Sequence, residues 1–284
     1  MKAGMIGLGA MGTGMAINIA KAGYLAGVYN RTTLKAEQFA EEHNYLVYYR
    51  PEDLVEDVDV VLICVAADND VLAIVERLIS AIKPDTIVVD MSTTGSDTAK
   101  QAAAMLAEKQ AFFLDAPVSG GVEGAKNGSL AMMIGGDAKV LEKARPVLEA
   151  MANRIIHMGD VGTGQATKAV NQIMAAGINQ AVTEALAFAQ AQLLPMEKVI
   201  DVISGGAAGN WFLKHRGITM TQGIFKPGFR LALHHKDLKI CLDMAKQTDA
   251  PSRLIEMTLD DYRQLMDNGL GDEDISALYR LKSD

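Results

Sequence analysis

The sequence predicts an α/β domain built on a parallel sheet, followed by an all-helical domain. Three observations predict it. Up to about residue 160, short apolar and β-branched runs alternate with helix-forming stretches. Glycines cluster at the first strand-to-helix turn, at Gly7, Gly9 and Gly12. Beyond Gly164 the strand-like runs cease and helix formers dominate. Such alternation implies βαβ units, and its loss implies a second architecture.

Seven strands are expected in the first half: Lys2–Ile6, Leu25–Tyr29, Val58–Val65, Thr86–Asp90, Ala111–Asp115, Ala131–Ile134 and Ile155–Met158. The runs Val60-Val61-Leu62-Ile63 and Ile87-Val88-Val89 suit strands covered on both faces. Helical patterns fall at Met11–Ala22, Thr32–Glu42, Asp70–Ala81, Gly95–Lys109 and Ala138–Met151. From Gly164 to Leu194 nearly every residue favours a helix, and Val170, Met174, Ile178, Val182 and Leu186 suggest an apolar stripe. A helix of about thirty residues spans roughly 45 Å, which suits the central rod of a helical domain. Pro195 opens another helix at its favoured first-turn position. Helices are also expected over 196–204, 209–222, 235–248 and 251–267, with Ile275–Leu281 a further candidate. The expected domains are residues 1–162 and 163–284, joined through Gly159–Gly164.

A length of 284 residues gives room for two domains, and 49% hydrophobic residues supply their cores. The formal net charge of −8 argues against nucleic-acid or anionic-membrane partners. No apolar run approaches the ~20 residues of a membrane span. The N-terminus reads as a strand and glycine loop rather than a signal peptide. Cys64 and Cys241 lie in apolar segments without metal-ligand spacing, so buried thiols in a reducing cytoplasm are the expectation.

The glycine turn Gly7-Leu8-Gly9-Ala10-Met11-Gly12 has the dinucleotide-binding spacing between a strand and a helix. The first glycine permits the turn, the second lets backbone approach a pyrophosphate, and the third lets helix and strand pack. The free N–H groups and positive end of the helix favour the bound anion. At the end of the second strand an NAD site usually carries Asp or Glu, which holds the ribose hydroxyls. This chain has Asn30, Arg31 and Thr32 there. A guanidinium and a hydroxyl without a carboxylate favour the 2′-phosphate of NADP, with NAD as the alternative. Arg31 as a solvated helix-start residue is the plainer reading.

Three further segments carry polar residues in unusual company. Asp115-Ala116-Pro117-Val118-Ser119-Gly120-Gly121 follows a strand, on the side where open α/β sheets bind ligands. The Ser119 hydroxyl and the N–H groups of Gly120 and Gly121 suit a substrate carboxylate, though a plain loop also satisfies the pattern. Lys168 sits in an apolar turn of the long helix, with Asn171 and Gln172 at i+3 and i+4. A desolvated lysine serves acid–base chemistry, while a snorkelling lysine serves only solubility. His235-Lys236-Asp237 follows Phe225-Lys226-Pro227-Gly228-Phe229, as a solvated helix start or as a group turned toward a ligand.

Together these segments resemble the β-hydroxyacid dehydrogenase family, which includes 3-hydroxyisobutyrate dehydrogenases and tartronate and glyoxylate/succinic semialdehyde reductases. The resemblance spans nearly the whole chain. It rests on residues 7–12, Asp115–Gly121, Gly164-Gln165-Ala166-Thr167-Lys168, Phe225–Phe229 and Lys236-Asp237-Leu238. It implies a Rossmann-like dinucleotide-binding domain followed by an all-α domain of 6-phosphogluconate dehydrogenase C-terminal type. It also implies NAD(P)-dependent interconversion of a short semialdehyde or 2-oxo acid and its hydroxy acid. By resemblance Lys168 is the catalytic lysine, and Ser119 and Gly120 hold the substrate carboxylate. Lys236, Asn69 and Thr93 lie near the coenzyme, and Asp237 and Phe229 line the site. Two departures stand out. Gln172 occupies the place of a helper Asn, with Asn171 before it, and Val65-Ala66-Ala67 replaces the usual turn beside the nicotinamide. An imine reductase shares the architecture but typically lacks the lysine, as does a non-catalytic nucleotide-binding module of the same build. Apolar residues around much of the long helix predict a homodimer or homotetramer.

Overall fold

The computed structural model describes residues 1–283. Two compact units divide the chain, Met1–Lys168 and Ala169–Asp284. In the first unit, strands β1 (Ala3–Ile6), β2 (Leu25–Tyr29), β3 (Leu46–Val47), β4 (Val60–Ile63), β5 (Ile87–Asp90) and β6 (Phe112–Asp115) alternate with helices α1 (Gly12–Lys21), α2 (Thr33–His43), α3 (Pro51–Glu56), α4 (Asp68–Leu78) and α5 (Ser96–Ala107). There follow β7 (Val118–Ser119), α6 (Gly121–Asn127), β8 (Leu130–Gly135), α7 (Ala138–Leu148) and β9 (Ala152–Gly159). The sheet order is β3-β2-β1-β4-β5-β6-β8-β7, with β9 also paired to β8. The α/β and all-α classes predicted from sequence are both present.

Period-two alternation explains why β4 is apolar throughout. Val60 and Leu62 enter one core with Met15 and Ile19 of α1 and Leu141 of α7. Val61 and Ile63 enter the other with Leu54 of α3, Val71 and Val75 of α4, and Ala102 of α5. Helices therefore cover both faces of the sheet.

The sheet departs from the expected all-parallel order at one edge. Strands β3 to β6 are parallel, but β8 runs antiparallel to β6 and β7. A parallel return needs a crossover of about a dozen residues. Val118 and Ser119 are used in β7, and the short α6 turns the chain back before a crossover is complete. The short elements β3 and α3 have weak sequence signals. For α3 the signal is Pro51 at the first helical position, with Glu52 and Asp53 in the first turn.

Helix α8 (Thr163–Ala191) is 29 residues long and begins within the first unit. The second unit adds α9 (Met196–Ser204), α10 (Trp211–Thr221), α11 (Leu231–Gln247), α12 (Arg253–Asp267), a 3-10 turn at Ile275–Tyr279 and α13 (Arg280–Ser283). Leu186 of α8, Leu213 of α10, Leu238 of α11 and Tyr262 of α12 share its core.

The apolar stripe expected on α8 is corrected by helix geometry. Steps of four residues turn about 40° each, so Val170 and Leu186 face nearly opposite ways. Val182 and Leu186 are buried, whereas Val170 and Met174 are 61% and 60% exposed. The inward face carries Gln172, Asn179, Gln180 and Thr183 instead. The Asn179 amide nitrogen finds two acceptors there, donating to the Tyr262 hydroxyl at 3.0 Å and the Ile275 carbonyl at 2.8 Å. Among the described residues no helix is long and apolar enough to cross a membrane. Neither cysteine is in a disulfide, and Cys64 is half-buried rather than buried.

Candidate active site

The glycine turn joins β1 to α1 as predicted. Gly7 has φ +98°, and a Cβ there would lie 2.2 Å from the Cys64 carbonyl oxygen. A Cβ on Gly12 would lie 2.0 Å from the Gly7 carbonyl oxygen. These two glycines are required by the protein's own packing. Gly9 differs, because a Cβ there meets nothing within 4 Å. Gly9 and Ala10 are exposed, Met11 is half-buried, and Leu8 is buried. The turn thus presents open backbone at the head of α1, which fits the approach of a pyrophosphate.

Asn30, at the end of β2, holds this turn in place. Its Oδ1 accepts the Leu8 N–H at 2.9 Å and its Nδ2 donates to the Thr32 carbonyl at 2.9 Å. Thr32 is exposed at the N-cap of α2 and makes no side-chain cap. Arg31 is 83% exposed at its side chain, and its Nη1 meets Asp70 Oδ1 at 2.6 Å. Val65 donates its N–H to Ser92 Oγ at 2.9 Å, Asn69 is exposed in the first turn of α4, and Thr93 is half-buried between β5 and α5.

A buried polar cluster lies beyond the ends of β5 and β6. Asp115 Oδ1 accepts the Gly162 N–H at 2.8 Å, and Oδ2 accepts the Gln165 N–H at 2.9 Å. Gln165 donates to the Ser92 carbonyl at 2.9 Å and accepts the Thr94 N–H at 3.1 Å. Burial pushes the Asp90 carboxyl up to about 7, against the pull of its hydrogen bonds with Ser92. Burial also raises Asp115, opposed by the backbone N–H groups it accepts. Asp90 Oδ2 has no hydrogen-bond partner among the described residues.

Lys168 follows three residues after Gln165 and is 7% exposed. Its Nζ donates to the Val118 carbonyl at 2.9 Å. Val118 immediately precedes Ser119 and Gly120, so the ammonium is held beside that pair within the first unit. Ser119 belongs to β7 rather than to a plain loop, and pairs with Ala131 of β8. Gly120, with φ +131°, caps α6, and Gly121 is its first residue. Their N–H groups have no intrahelical acceptor.

The remaining candidates belong to the second unit. Asn171 Nδ2 donates to Gln172 Oε1 at 2.8 Å, and Gln172 Nε2 donates to Asp237 Oδ2 at 2.6 Å. Lys236 Nζ stands 2.8 Å from Asp237 Oδ1. His235, Lys236 and Asp237 do not start their helix as expected, because α11 opens at Leu231. Phe229 lies just before α11, its ring 5.2 Å from that of His234. Its loop is pinned by Asp274, whose Oδ2 accepts the Gly228 and Phe229 N–H groups at 2.8 and 3.1 Å.

Sequence reasoning assigned no role to Asp70, Asp90, Gln165 or Asp274. Asp90 had a readable signal, an acid ending the apolar run Ile87-Val88-Val89. The other three act through partners distant in sequence.

The fold and its likeness to known proteins place the chain in the class of nicotinamide-dinucleotide oxidoreductases. Residues 2–159 match the NAD binding domain of 6-phosphogluconate dehydrogenase, and residues 162–282 match the NAD-binding domain of NADP-dependent 3-hydroxyisobutyrate dehydrogenase. The chain belongs to the β-hydroxyacid dehydrogenase family. It is 41% identical to an uncharacterized oxidoreductase of Shewanella frigidimarina, over 87% of this chain and 86% of that one. It is 38% identical to the 2-hydroxy-3-oxopropionate reductase of Escherichia coli, over 87% and 85% of the two chains. The solved structure of Mycobacterium tuberculosis 3-hydroxyisobutyrate dehydrogenase with L-serine superimposes with a TM-score of 0.91 at 32% identity, covering 99% of this chain and 98% of that one.

Proposed function

We propose that this chain interconverts a short semialdehyde or 2-oxo acid and the corresponding hydroxy acid, with Lys168 as the acid–base group. The observation that carries this reading is the contact of the buried Lys168 Nζ with the Val118 carbonyl, one residue before Ser119 and Gly120. It sets the lysine beside the segment that this reading assigns to the substrate carboxylate.

In reduction Lys168 Nζ donates a proton to the substrate carbonyl oxygen, and in oxidation the neutral amine takes the alcohol proton. Its positive charge also stabilises the developing alkoxide, worth a few kcal/mol where water is excluded. The Ser119 hydroxyl and the N–H groups of Gly120 and Gly121 hold the substrate carboxylate and so aim the reacting carbon. Residues Gly7 to Gly12 hold the coenzyme's pyrophosphate, with Asn30, Arg31 and Thr32 near its adenosine end and Val65, Asn69 and Thr93 along it. A bound nicotinamide supplies the hydride for reduction and accepts it in oxidation. Asn171, Gln172, Asp237 and Phe229 are assigned to the substrate and Lys236 to the coenzyme, with Asn171, Gln172 and Asp237 linked in one hydrogen-bonded chain and Lys236 beside Asp237. The uncharged Asn30 and the exposed Arg31 favour NADP over NAD.

The exposed residues Val170, Met174 and Phe188 lie on one side of α8, which supports assembly as a homodimer or homotetramer. Solution scattering that gives a monomer overturns that part. The function is tested by kcat/KM over glyoxylate, tartronate, succinic and methylmalonic semialdehydes, the matching hydroxy acids and L-serine, with each coenzyme. Lys168→Ala is expected to lower kcat by about 10²- to 10⁴-fold with coenzyme Kd unchanged. Near-normal turnover in that variant removes the assignment.

A further inference from the structure

We propose that Asp70 sets how strongly this chain distinguishes NADP from NAD, by engaging the guanidinium that meets the coenzyme's 2′-phosphate. The proposal rests on the reading that places the adenosine end of the coenzyme beside Asn30 and Arg31.

The usual charge determinant, the residue ending the second strand, is withdrawn here. Both ends of the Asn30 carboxamide are taken by the scaffold, Oδ1 by the Leu8 N–H and Nδ2 by the Thr32 carbonyl. The local charge is therefore set by Arg31 and whatever stands against it. That group is Asp70, 39 residues further along the chain, with Oδ1 2.6 Å from Arg31 Nη1. Its backbone is fixed in the first turn of α4, where its N–H bonds the Ala67 carbonyl at 3.1 Å. Asp68, in the same turn, is turned elsewhere. Its Oδ1 accepts from the Gly95 N–H at 2.8 Å and the Thr98 hydroxyl at 2.6 Å. Only Asp70 of the two faces Arg31.

The fold thus restores, from α4, the carboxylate that the second strand lacks. A guanidinium already paired with a carboxylate presents little net charge to an incoming phosphate dianion. The phosphate must displace Asp70 or share Arg31 with it, and the carboxylate repels it throughout. The ribose 2′-hydroxyl of NAD meets no such repulsion, and a carboxylate is a good acceptor for it. Because the Arg31 side chain is 83% exposed, although that of Asp70 is only 25% exposed, solvent screens the pair and the effect is graded rather than absolute. The wild-type chain is accordingly expected to bind both coenzymes, with a modest preference for NADPH.

Calorimetric Kd values for NADPH and NADH on the full-length protein test this, with Asp70→Asn, Arg31→Ala and the double variant. Asp70→Asn is expected to raise the NADH-to-NADPH Kd ratio about threefold to tenfold through tighter NADPH, and the gain is expected to shrink in high salt. Arg31→Ala is expected to lower the ratio, and Asp70→Asn to raise it less in the Arg31→Ala background than in the wild type, by the direct repulsion alone. If Arg31→Ala lowers the ratio while Asp70→Asn leaves it unchanged or lowers it, Asp70 is a spectator or a support for Arg31 and the proposal alone fails. If Arg31→Ala leaves the ratio unchanged, Arg31 does not read the 2′-phosphate, and the proposal fails with the reading beneath it.

Discussion

The Asp115 carboxylate accepts the backbone N–H of Gln165 at 2.9 Å, across fifty residues of sequence. Its other oxygen accepts the Gly162 N–H at 2.8 Å. One side chain at the end of β6 thereby fixes the entry to α8, three residues ahead of Lys168. The same segment continues through Val118, whose carbonyl meets the Lys168 ammonium. Asp115 therefore positions both partners of that contact.

Asp115→Asn keeps one acceptor oxygen and turns an amide N–H against one of the two backbone donors. A buried donor left unpaired costs about 1–3 kcal/mol. The expected outcome is a loss of that size in urea unfolding. With the start of α8 loosened, kcat is expected to fall about tenfold while coenzyme Kd stays within about twofold. A variant that loses stability but keeps full kcat would show that the clamp serves folding alone.

Asp90 predicts a pH dependence of stability. In the unfolded chain its carboxyl ionises near the ordinary 3.8, and in the folded chain near 7, because burial disfavours the anion. Between those values the folded state holds the extra proton, so stability falls as pH rises through this window. The slope from this group is at most about 1.4 kcal/mol per pH unit. Asp90→Asn, similar in shape and unable to ionise, removes that slope. Relative to wild type it should gain more than about 1 kcal/mol between about pH 5 and pH 8 in urea titrations. The raised Asp115 leaves a residual slope of the same sign. Parallel wild-type and variant curves would show that Asp90 does not carry the proton.

Local features made the fold legible. The alternation of apolar runs and helix formers located the main strands, and a lysine in the apolar turn Ala166–Val170 singled out Lys168. Contacts across long separations were not legible. Nothing near Arg31 in sequence announces Asp70, and nothing near Gln172 announces Asp237, 65 residues away. The stripe on α8 failed for a different reason. Equal four-residue steps resemble one face on paper, but the helix turns about 40° with each of them. The inward positions are polar because Asn179 and Gln180 find partners on α12 at Tyr262 and Asp261.

Two glycines of the first turn, Gly12 and Gly9, predict opposite phenotypes. A methyl group on Gly12 would stand 2.0 Å from a backbone oxygen that cannot move away freely, so Gly12→Ala is expected to destabilise the first unit by several kcal/mol. On Gly9 the methyl group meets no protein atom within 4 Å. Gly9→Ala is therefore expected to melt within about 2 °C of wild type while weakening coenzyme binding at least about tenfold. Thermal melts and calorimetry on the two variants separate the roles. Unchanged coenzyme affinity in Gly9→Ala would contradict the placement of the pyrophosphate at this turn.

Asp274 offers the equivalent test in the second unit. It is 1% exposed, and its Oδ2 holds the Gly228 and Phe229 N–H groups at 2.8 and 3.1 Å. Its Oδ1 accepts from the Ser276 N–H and hydroxyl at 3.1 and 2.8 Å and lies 3.4 Å from Arg216 Nε. Asp274→Asn removes the charge opposite Arg216 and one acceptor from a fully used set. Breaking such a pair from one side costs about 3–5 kcal/mol where both ions are buried, and less here because Arg216 is 26% exposed. A loss of about 2–3 kcal/mol in urea unfolding is the expected outcome. Asp274 shapes the loop that carries Phe229, so if Phe229 lines the substrate site as proposed, substrate KM is expected to rise about threefold or more, with coenzyme Kd unchanged. Asp274→Ala with Arg216→Met restores neutrality without restoring the loop bonds. It should therefore recover part of the stability and none of the KM, and a full recovery of KM would show that the charge, not the loop contact, governs the KM effect.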